Sequence, residues 1–266
     1  MAGRTEYDHH VLGMATAYLK DGAMDDIGPT GLFWLGGFKS EMIGTKAESL
    51  AELARATRRN LLRFDYFGHG QSQGLFVDGT ISVWLEQATH MFLTHTRNRR
   101  IIIGSSMGGW LALLLARRLM KEDPTAARRM AGIVLLAPAA DMTRDLMWNT
   151  FPEDIRRDMM DRGVYERPSA YGEPYQITMK LIQDGERHLL LPGGLRLPVP
   201  VRILQGTEDA DVPASHAIQT MEALSGDDIS LTLIKGADHR LSSAGQLALI
   251  NETVMALVHR ADGVSP

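Results

Sequence analysis

The feature that most constrains this chain is the alternation of short apolar runs with longer helical patterns. The runs carry apolar residues on both faces, which is typical of strands that helices cover on both sides of a parallel sheet. The predicted strands cover residues 31–35, 61–64, 100–103, 133–136, 201–204 and 231–234. The predicted helices cover residues 46–57, 84–92, 107–120 and 247–259. This pattern indicates an α/β fold with a mostly parallel sheet, to which residues around Tyr18 add an antiparallel hairpin.

One long stretch interrupts the alternation. Residues 139–197 contain no convincing strand, and they carry helical patterns at 152–162 and 176–191. They follow a strand whose carboxyl end lies at the edge of the sheet where open α/β folds bind ligands. We therefore expect a core of residues 1–138 and 198–266 with a helical lid of residues 139–197. The alternative is a helical excursion at the periphery.

Composition excludes several classes of function. A net charge of −4 gives no electrostatic case for binding nucleic acid or an anionic membrane surface. The absence of cysteine excludes disulfides, thiolate nucleophiles and cysteine-ligated metals, and no pattern indicates a cofactor or a metal. No run reaches the roughly 18 apolar residues of a membrane span. The first residues do not resemble a signal or transit peptide, so a cytoplasmic protein is the expectation.

Two segments match the pattern G-x-S-x-G, which marks the nucleophile of many serine hydrolases. The segment from Gly104 to Gly108 directly follows a predicted strand and directly precedes a predicted helix. A nucleophile elbow needs that strand–turn–helix context, because it presents the hydroxyl at a helix N-terminus. The segment around Ser72 has no helix after it. Ser106 is therefore the predicted nucleophile, Ser72 is predicted to lie in a loop, and Ser105 to pack behind the turn.

A serine hydroxyl needs a base that an acid holds in place, and in this context the order along the chain is serine, acid, histidine. Asp209 follows a late predicted strand, and His239 follows the next one. The other histidines lie near the N-terminus, in a glycine-rich loop, or on or beside helices. The predicted triad is Ser106, Asp209 and His239, with Asp211, Glu208 and Asp141 as alternative acids.

Acyl transfer also needs donors for the oxyanion. One is expected to be the backbone N–H of Met107, directly after the nucleophile. The other is expected to be the backbone N–H of Phe38, in the loop at residues 36–40, where two glycines let the backbone approach closely. The alternative is that this loop is a plain glycine turn.

The predicted lid is rich in large apolar residues, and ligand pockets are mostly apolar. We expect Met147, Trp148 and Phe151, together with Gly37, to contact the substrate. The alternative is that the apolar residues of the lid only pack it onto the core.

Several further segments match one known family. They are Gly36-Gly37-Phe38, Gly44-Thr45-Lys46-Ala47, Arg63-Phe64-Asp65-Tyr66, the segment from Gly104 to Trp110, and Asp238-His239-Arg240. From about residue 31 to 259 the chain resembles the α/β-hydrolase superfamily. It is most similar to acyl-protein thioesterases (depalmitoylases) that also cleave acyl-glucuronide esters. The resemblance implies the same triad, with Phe38 and Met107 as oxyanion donors.

These residues together predict a serine hydrolase that cleaves ester or thioester bonds of a small or medium acyl substrate. The alternatives are a proline-type serine aminopeptidase or amidase, and a non-catalytic ligand-binding protein on the same fold. Activity should rise with pH through roughly 6–7 if His239 is the general base.

Overall fold

The computed structural model describes residues 4–22, 29–168 and 174–264. Its strands are β1 Glu6–Asp8, β2 Thr16–Gly22, β3 Gly31–Leu35, β4 Asn60–Phe64, β5 Arg100–Ser105, β6 Met130–Leu136, β7 Val164–Arg167, β8 Tyr175–Thr178, β9 Leu195–Arg196, β10 Val201–Gly206, β11 Leu224–Ser225 and β12 Ile229–Ile234. Its α-helices are α1 Thr45–Ala56, α2 Ile81–His95, α3 Met107–Glu122, α4 Pro124–Ala127, α5 Glu153–Arg162, α6 Met179–Gly185, α7 Ala214–Ala223 and α8 Ala244–Asp262.

Eight strands form the central sheet, in the order β1-β2-β4-β3-β5-β6-β10-β12. Strands β4, β3, β5, β6, β10 and β12 are parallel, and β2 is antiparallel to both β1 and β4. The predicted α/β architecture with a mostly parallel sheet is confirmed, and so is the hairpin that contains Tyr18. The carboxyl ends of β3, β5, β10 and β12 therefore meet along one edge, where open α/β sheets place their ligand sites.

Helices cover both faces of the sheet because its strands are apolar on both sides. Trp84 of α2 and Trp110 of α3 belong to the larger buried cluster on one face. Leu50 of α1 and Val254 of α8 belong to the cluster on the other face. None of the helices in the described parts of the chain is long and apolar enough to cross a membrane.

Two helices begin earlier than the apolar pattern predicts, because capping residues start them. The side chain of Thr80 accepts a hydrogen bond from the Val83 N–H, so α2 begins at Ile81. Ser243 and Gln246 form a capping box, in which each side chain accepts from the other's backbone N–H, and α8 begins at Ala244.

The segment between β6 and β10 contains a hairpin that the sequence analysis missed. Strands β7 and β8 pair antiparallel, from Val164 opposite Thr178 to Arg167 opposite Tyr175. The prediction of no strand in this segment is therefore wrong, and so is the prediction of one helix over residues 176–191. Thr178 ends β8 and also caps α6, because its hydroxyl accepts from the Leu181 N–H. Helix α5 agrees with the prediction for residues 152–162.

The two ends of this insertion are joined by a buried carboxylate. Asp141 lies just after β6 and accepts hydrogen bonds from the N–H groups of Leu190 and Leu191, at 2.8 and 2.9 Å. Burial raises the pKa of Asp141, although these two donors oppose the rise. The division into a core and a lid of residues 139–197 stays a prediction. Asp141 lies near the first residue of the predicted lid, and Leu190 and Leu191 lie near its last residue.

Candidate active site

Ser106 occupies a sharp turn between β5 and α3. Its backbone has φ 55° and ψ −121°, a conformation that non-glycine residues rarely adopt. A hydrogen bond of 2.9 Å from the Ser106 N–H to the carbonyl oxygen of Leu136 holds the turn against the end of β6. The strand–turn–helix context predicted for Ser106 is therefore present.

The glycines on either side of Ser106 are required by their contacts. A Cβ on Gly104 would stand 2.2 Å from the carbonyl oxygen of Gly108. A Cβ on Gly108 would stand 2.1 Å from the carbonyl oxygen of Leu35 and 2.4 Å from that of Gly36. Because these neighbours are backbone atoms, a side chain at either position forces the elbow or β3 to move.

The structure brings Ser106, His239 and Asp209 into one chain of contacts. His239 Nε2 lies 3.1 Å from Ser106 Oγ, and His239 Nδ1 lies 2.8 Å from Asp209 Oδ2. With its proton on Nδ1, the imidazole donates to the carboxylate and presents a lone pair to the serine hydroxyl. That arrangement is the one a serine nucleophile needs to lose its proton as it attacks.

Asp209 is held by its surroundings as an ionised carboxylate. Its Oδ1 accepts from the N–H groups of Asp211 and Val212 at 2.9 and 2.8 Å, and its Oδ2 also accepts from Gln205 Nε2 at 3.0 Å. Burial alone raises the pKa of Asp209, but the hydrogen bond and charge of His239 and the other donors outweigh it. The pKa therefore lies below its usual value.

The other residues weighed in the sequence analysis lie in different settings. The Ser72 hydroxyl donates to the Asp65 carbonyl oxygen at 2.7 Å and accepts from the Ala17 N–H at 2.8 Å, so Ser72 is a loop residue that ties the N-terminal hairpin. Asp211 and Glu208 are exposed, and Asp141 joins the ends of the insertion. Ser105 is buried at the end of β5.

Two backbone N–H groups lie where oxyanion donors are expected. Met107 is the first residue of α3, so its N–H has no partner within the helix. In the described parts of the chain, the Phe38 N–H makes no hydrogen bond. A Cβ on Gly37 would stand 3.3 Å from Ser106 Cβ, so the loop passes directly beside the nucleophile.

His69 anchors that loop, a role that sequence reasoning missed. Its Nε2 accepts from the Lys39 N–H at 3.1 Å, and its Nδ1 lies 3.1 Å from the Phe67 carbonyl oxygen. Lys39 has a φ of 57°, so this contact holds a strained backbone turn. Burial lowers the pKa of His69 to about 4, helped by the charge of Lys39 and opposed by the Phe67 carbonyl. The imidazole is therefore neutral and can accept from Lys39.

A cleft of about 710 Å³ opens over Ser106 and His239. Of the predicted substrate contacts, Gly37 and Met147 line it. Trp148 and Phe151 are not among its lining residues, and Phe151 packs against the ring of Tyr165, with centroids 5.3 Å apart. Among the described residues, sequence analysis missed the others that the insertion contributes: Ala139, Met142, Leu146, Arg167, Pro168 and Tyr175.

The lining of this cleft is basic, in contrast to the net charge of the chain. Lys39, Lys46, Arg167 and Arg240 line it, and Asp211 is its one acidic residue among those described. Lys46 Nζ donates a hydrogen bond to the Arg240 carbonyl oxygen. Burial lowers the pKa of Lys46 to about 8, helped by Arg240 and opposed by Asp238 and Asp209.

Asp209, Asp211 and His239 present ligand atoms within 4.8 Å of one another, a spacing that a metal ion could use. Both nitrogens of His239 are already engaged, one with Ser106 and one with Asp209. A metal here would have to displace the contact between His239 and Asp209, so the donor set fits proton transfer better than metal binding.

Comparisons with known proteins agree with this architecture. A sequence profile of the alpha/beta hydrolase family matches residues 28–248. The mitochondrial palmitoyl-protein thioesterase ABHD10 of Homo sapiens is 28% identical over 232 residues, which cover 86% of this chain and 73% of that protein.

Two solved structures have a similar fold. A putative hydrolase from Agrobacterium vitis S4 has a TM-score of 0.90 and 36% identity, covering 96% of this chain and 98% of that one. Alpha/beta hydrolase domain-containing protein 10 from mouse has a TM-score of 0.83 and 24% identity, covering 97% and 99%. Because the family profile spans well over half of the sequence, this chain belongs to the alpha/beta hydrolase family.

Proposed function

We propose that this protein is a serine hydrolase that cleaves carboxylic ester or thioester bonds through an acyl-enzyme on Ser106. The observation that carries the proposal is the pair of contacts at His239, 3.1 Å to Ser106 Oγ and 2.8 Å to Asp209 Oδ2. Relatives named as palmitoyl-protein thioesterases support the same class of bond.

In the acylation step, Ser106 Oγ attacks the acyl carbon while its proton passes to His239 Nε2. The acyl oxygen becomes an oxyanion, to which the N–H groups of Met107 and Phe38 donate. As the oxyanion re-forms the carbonyl group, the bond to the leaving oxygen or sulfur breaks, and the imidazolium protonates that atom, so a neutral alcohol or thiol departs and the acyl group stays on Ser106. Asp209 keeps the imidazole in the required tautomer and stabilises its positive charge.

In the deacylation step, a water molecule takes the place of the leaving group. His239 Nε2 removes a proton from the water as it attacks the acyl carbon. The proton then returns to Ser106 Oγ, and the free carboxylic acid and the enzyme are released.

The lining of the cleft suggests how the two parts of the substrate bind. Met142, Leu146 and Met147 offer an apolar surface for a small or medium acyl group. The basic residues Lys39, Lys46, Arg167 and Arg240 favour a leaving group that carries negative charge. A cytoplasmic location stays a prediction, since the curated relatives are mitochondrial by name.

The decisive experiment uses a fluorophosphonate probe on the wild type, on Ser106→Ala, and on Ser72→Ala as the matched control from the second G-x-S-x-G segment. Each protein is also assayed with p-nitrophenyl acetate, butyrate and octanoate, and with palmitoyl-CoA. We expect labelling and turnover in the wild type and in Ser72→Ala, and neither in Ser106→Ala.

The other outcomes point to the alternatives. Hydrolysis of an aminoacyl anilide without hydrolysis of any ester would favour a proline-type aminopeptidase. A folded wild type that neither labels nor turns over any substrate would favour a non-catalytic binding protein.

A further inference from the structure

A second cluster of chemically reactive side chains lies outside the cleft. Asp8 ends the short edge strand β1, and His90 and His95 lie in the last part of α2. His90 Nε2 is 3.1 Å from Asp8 Oδ1, and His95 Nε2 is 2.8 Å from Asp8 Oδ2. The three ligand atoms all lie within 4.8 Å of one another, and none of these residues lines the cleft.

The contact between His90 and Asp8 is a poor hydrogen bond. His90 Nε2 is buried and, despite its distance of 3.1 Å from Asp8 Oδ1, it lacks the alignment of a hydrogen bond. His90 Nδ1 lies 3.3 Å from the hydroxyl oxygen of Thr94. With its proton on Nδ1 and donated to Thr94, His90 presents a lone pair on Nε2 toward Asp8. A neutral ring in that orientation is a metal ligand whose outer nitrogen is already satisfied.

The surroundings hold the two rings in place. His10 stacks on His90 with ring centroids 4.1 Å apart, and the ring of Tyr18 lies 4.5 Å from that of His95. The His10 N–H donates to Asp8 Oδ1 at 2.9 Å. Contacts with neighbouring groups therefore position both rings and the carboxylate.

We propose that Asp8, His90 and His95 bind one divalent transition-metal ion, with Zn²⁺ as the best match to two imidazoles and one carboxylate. Bonds of about 2.0–2.1 Å in a tetrahedral site place neighbouring ligand atoms about 3.4 Å apart. His95 Nε2 lies 2.8 Å from Asp8 Oδ2 in a hydrogen bond that the ion would replace, while His90 Nε2 lies 3.1 Å from the other carboxylate oxygen. Since the three ligand atoms already lie within 4.8 Å of one another, rotation of the side chains can bring them to that spacing. A solvent molecule would supply the fourth ligand.

The expected effect of this site is on stability, because its ligands come from two distant parts of the sequence. The metal would join β1, a three-residue strand at the edge of the sheet, to the end of α2. Since the unfolded chain does not hold these ligands together, a bound ion stabilises the folded state. The hydrolase reaction does not use the site, so the two proposals can fail independently.

The test uses the full chain after treatment with EDTA and dialysis. Zn²⁺ is titrated at neutral pH by calorimetry, and the melting temperature is measured with and without Zn²⁺. We expect one Zn²⁺ per chain and a rise of roughly 5–10 °C in melting temperature at a free concentration of about a hundred times Kd. Mg²⁺, which prefers oxygen ligands, should produce no rise.

The variants are Asp8→Asn, His90→Gln and His95→Gln, with His259→Gln on α8 as the matched control. The three site variants should bind Zn²⁺ at least tenfold more weakly, and the control should bind like the wild type. Circular dichroism establishes which variants are folded, and the binding comparison is made on those. Absence of saturable binding to the wild type overturns the proposal, and so does binding that all three site variants retain unchanged.

Discussion

Gly108, on the first turn of α3, lies against the end of β3 so closely that a Cβ on it would stand 2.1 Å from the carbonyl oxygen of Leu35. Gly108→Ala should therefore displace the nucleophile elbow. We expect a loss of about 1–3 kcal/mol in the free energy of unfolding and at least a 100-fold loss of ester hydrolysis.

The matched control for this prediction is Gly245→Ala in α8, where a Cβ meets nothing within 4 Å. Alanine there should be neutral or should stabilise the protein by up to about 1 kcal/mol. Urea denaturation and hydrolysis of p-nitrophenyl butyrate measure both variants. Equal unfolding free energies and equal hydrolysis rates for Gly108→Ala and Gly245→Ala would show that the close contact of Gly108 with β3 does not matter.

The second prediction separates the predicted acid from its nearest competitor. Asp209→Asn should lower kcat by about 10⁴-fold, because the amide no longer holds His239 in the tautomer that accepts the serine proton. Asp211→Asn should change kcat for a neutral ester only a few-fold, since its carboxylate is exposed. Steady-state kinetics on folded proteins measure kcat for both variants. A comparable loss of kcat in both would show that Asp209 is not the acid of the triad.

The third prediction concerns the charge of Lys46. Its pKa of about 8 means that the ammonium is charged below that pH and neutral above it. The quantity to measure is the ratio of kcat/KM for a substrate with an anionic leaving group to kcat/KM for a neutral ester. This ratio should fall about fivefold between pH 7 and pH 9, since one attractive charge is lost. The ratio in Lys46→Met should start lower and stay flat. A wild-type ratio that does not change with pH would show that the charge of Lys46 does not interact with the leaving group.

The fourth prediction concerns His69 and stability in acid. Its pKa is about 4 in the folded protein and about 6.5 when unfolded, so the unfolded state takes up the proton first. Stability should therefore fall as pH drops from about 6.5 to about 4, with about 2 kcal/mol lost from His69 between pH 7 and pH 5. Urea denaturation at both pH values should show a smaller loss in His69→Gln. Identical losses in the two proteins would mean that His69 is not held neutral.

The sheet and the elbow could be predicted because the signals for them are local. The buried strands are mostly apolar, although β4 carries the buried Arg63 and β10 carries Arg202. The position of Ser106 between a strand and a helix distinguishes it from Ser72. The order of serine, acid and histidine also indicated Asp209 and His239, whose side chains the structure places in contact with each other and with Ser106.

The parts that were missed depend on contacts between residues far apart in the sequence. His69 accepts a hydrogen bond from the N–H of Lys39, which lies 30 residues earlier in the sequence. Residues 175–178 also fit a helical pattern, and only their pairing with β7 identifies a strand. Whether a residue of the insertion such as Trp148 faces the cleft or the core depends on how the insertion folds back, which no local pattern encodes.

The contact of Asp141 with Leu190 and Leu191 has a consequence for the segment that lies between these residues. Because the carboxylate joins the two ends of the insertion, everything between them is a closed loop that leaves and re-enters the core at nearly the same place. Lengthening or replacing such a loop costs little chain entropy as long as its ends stay joined. Changes of length in the exposed parts of residues 142–189, which leave the buried residues of the larger core cluster in place, could therefore alter substrate preference over an unaltered nucleophile.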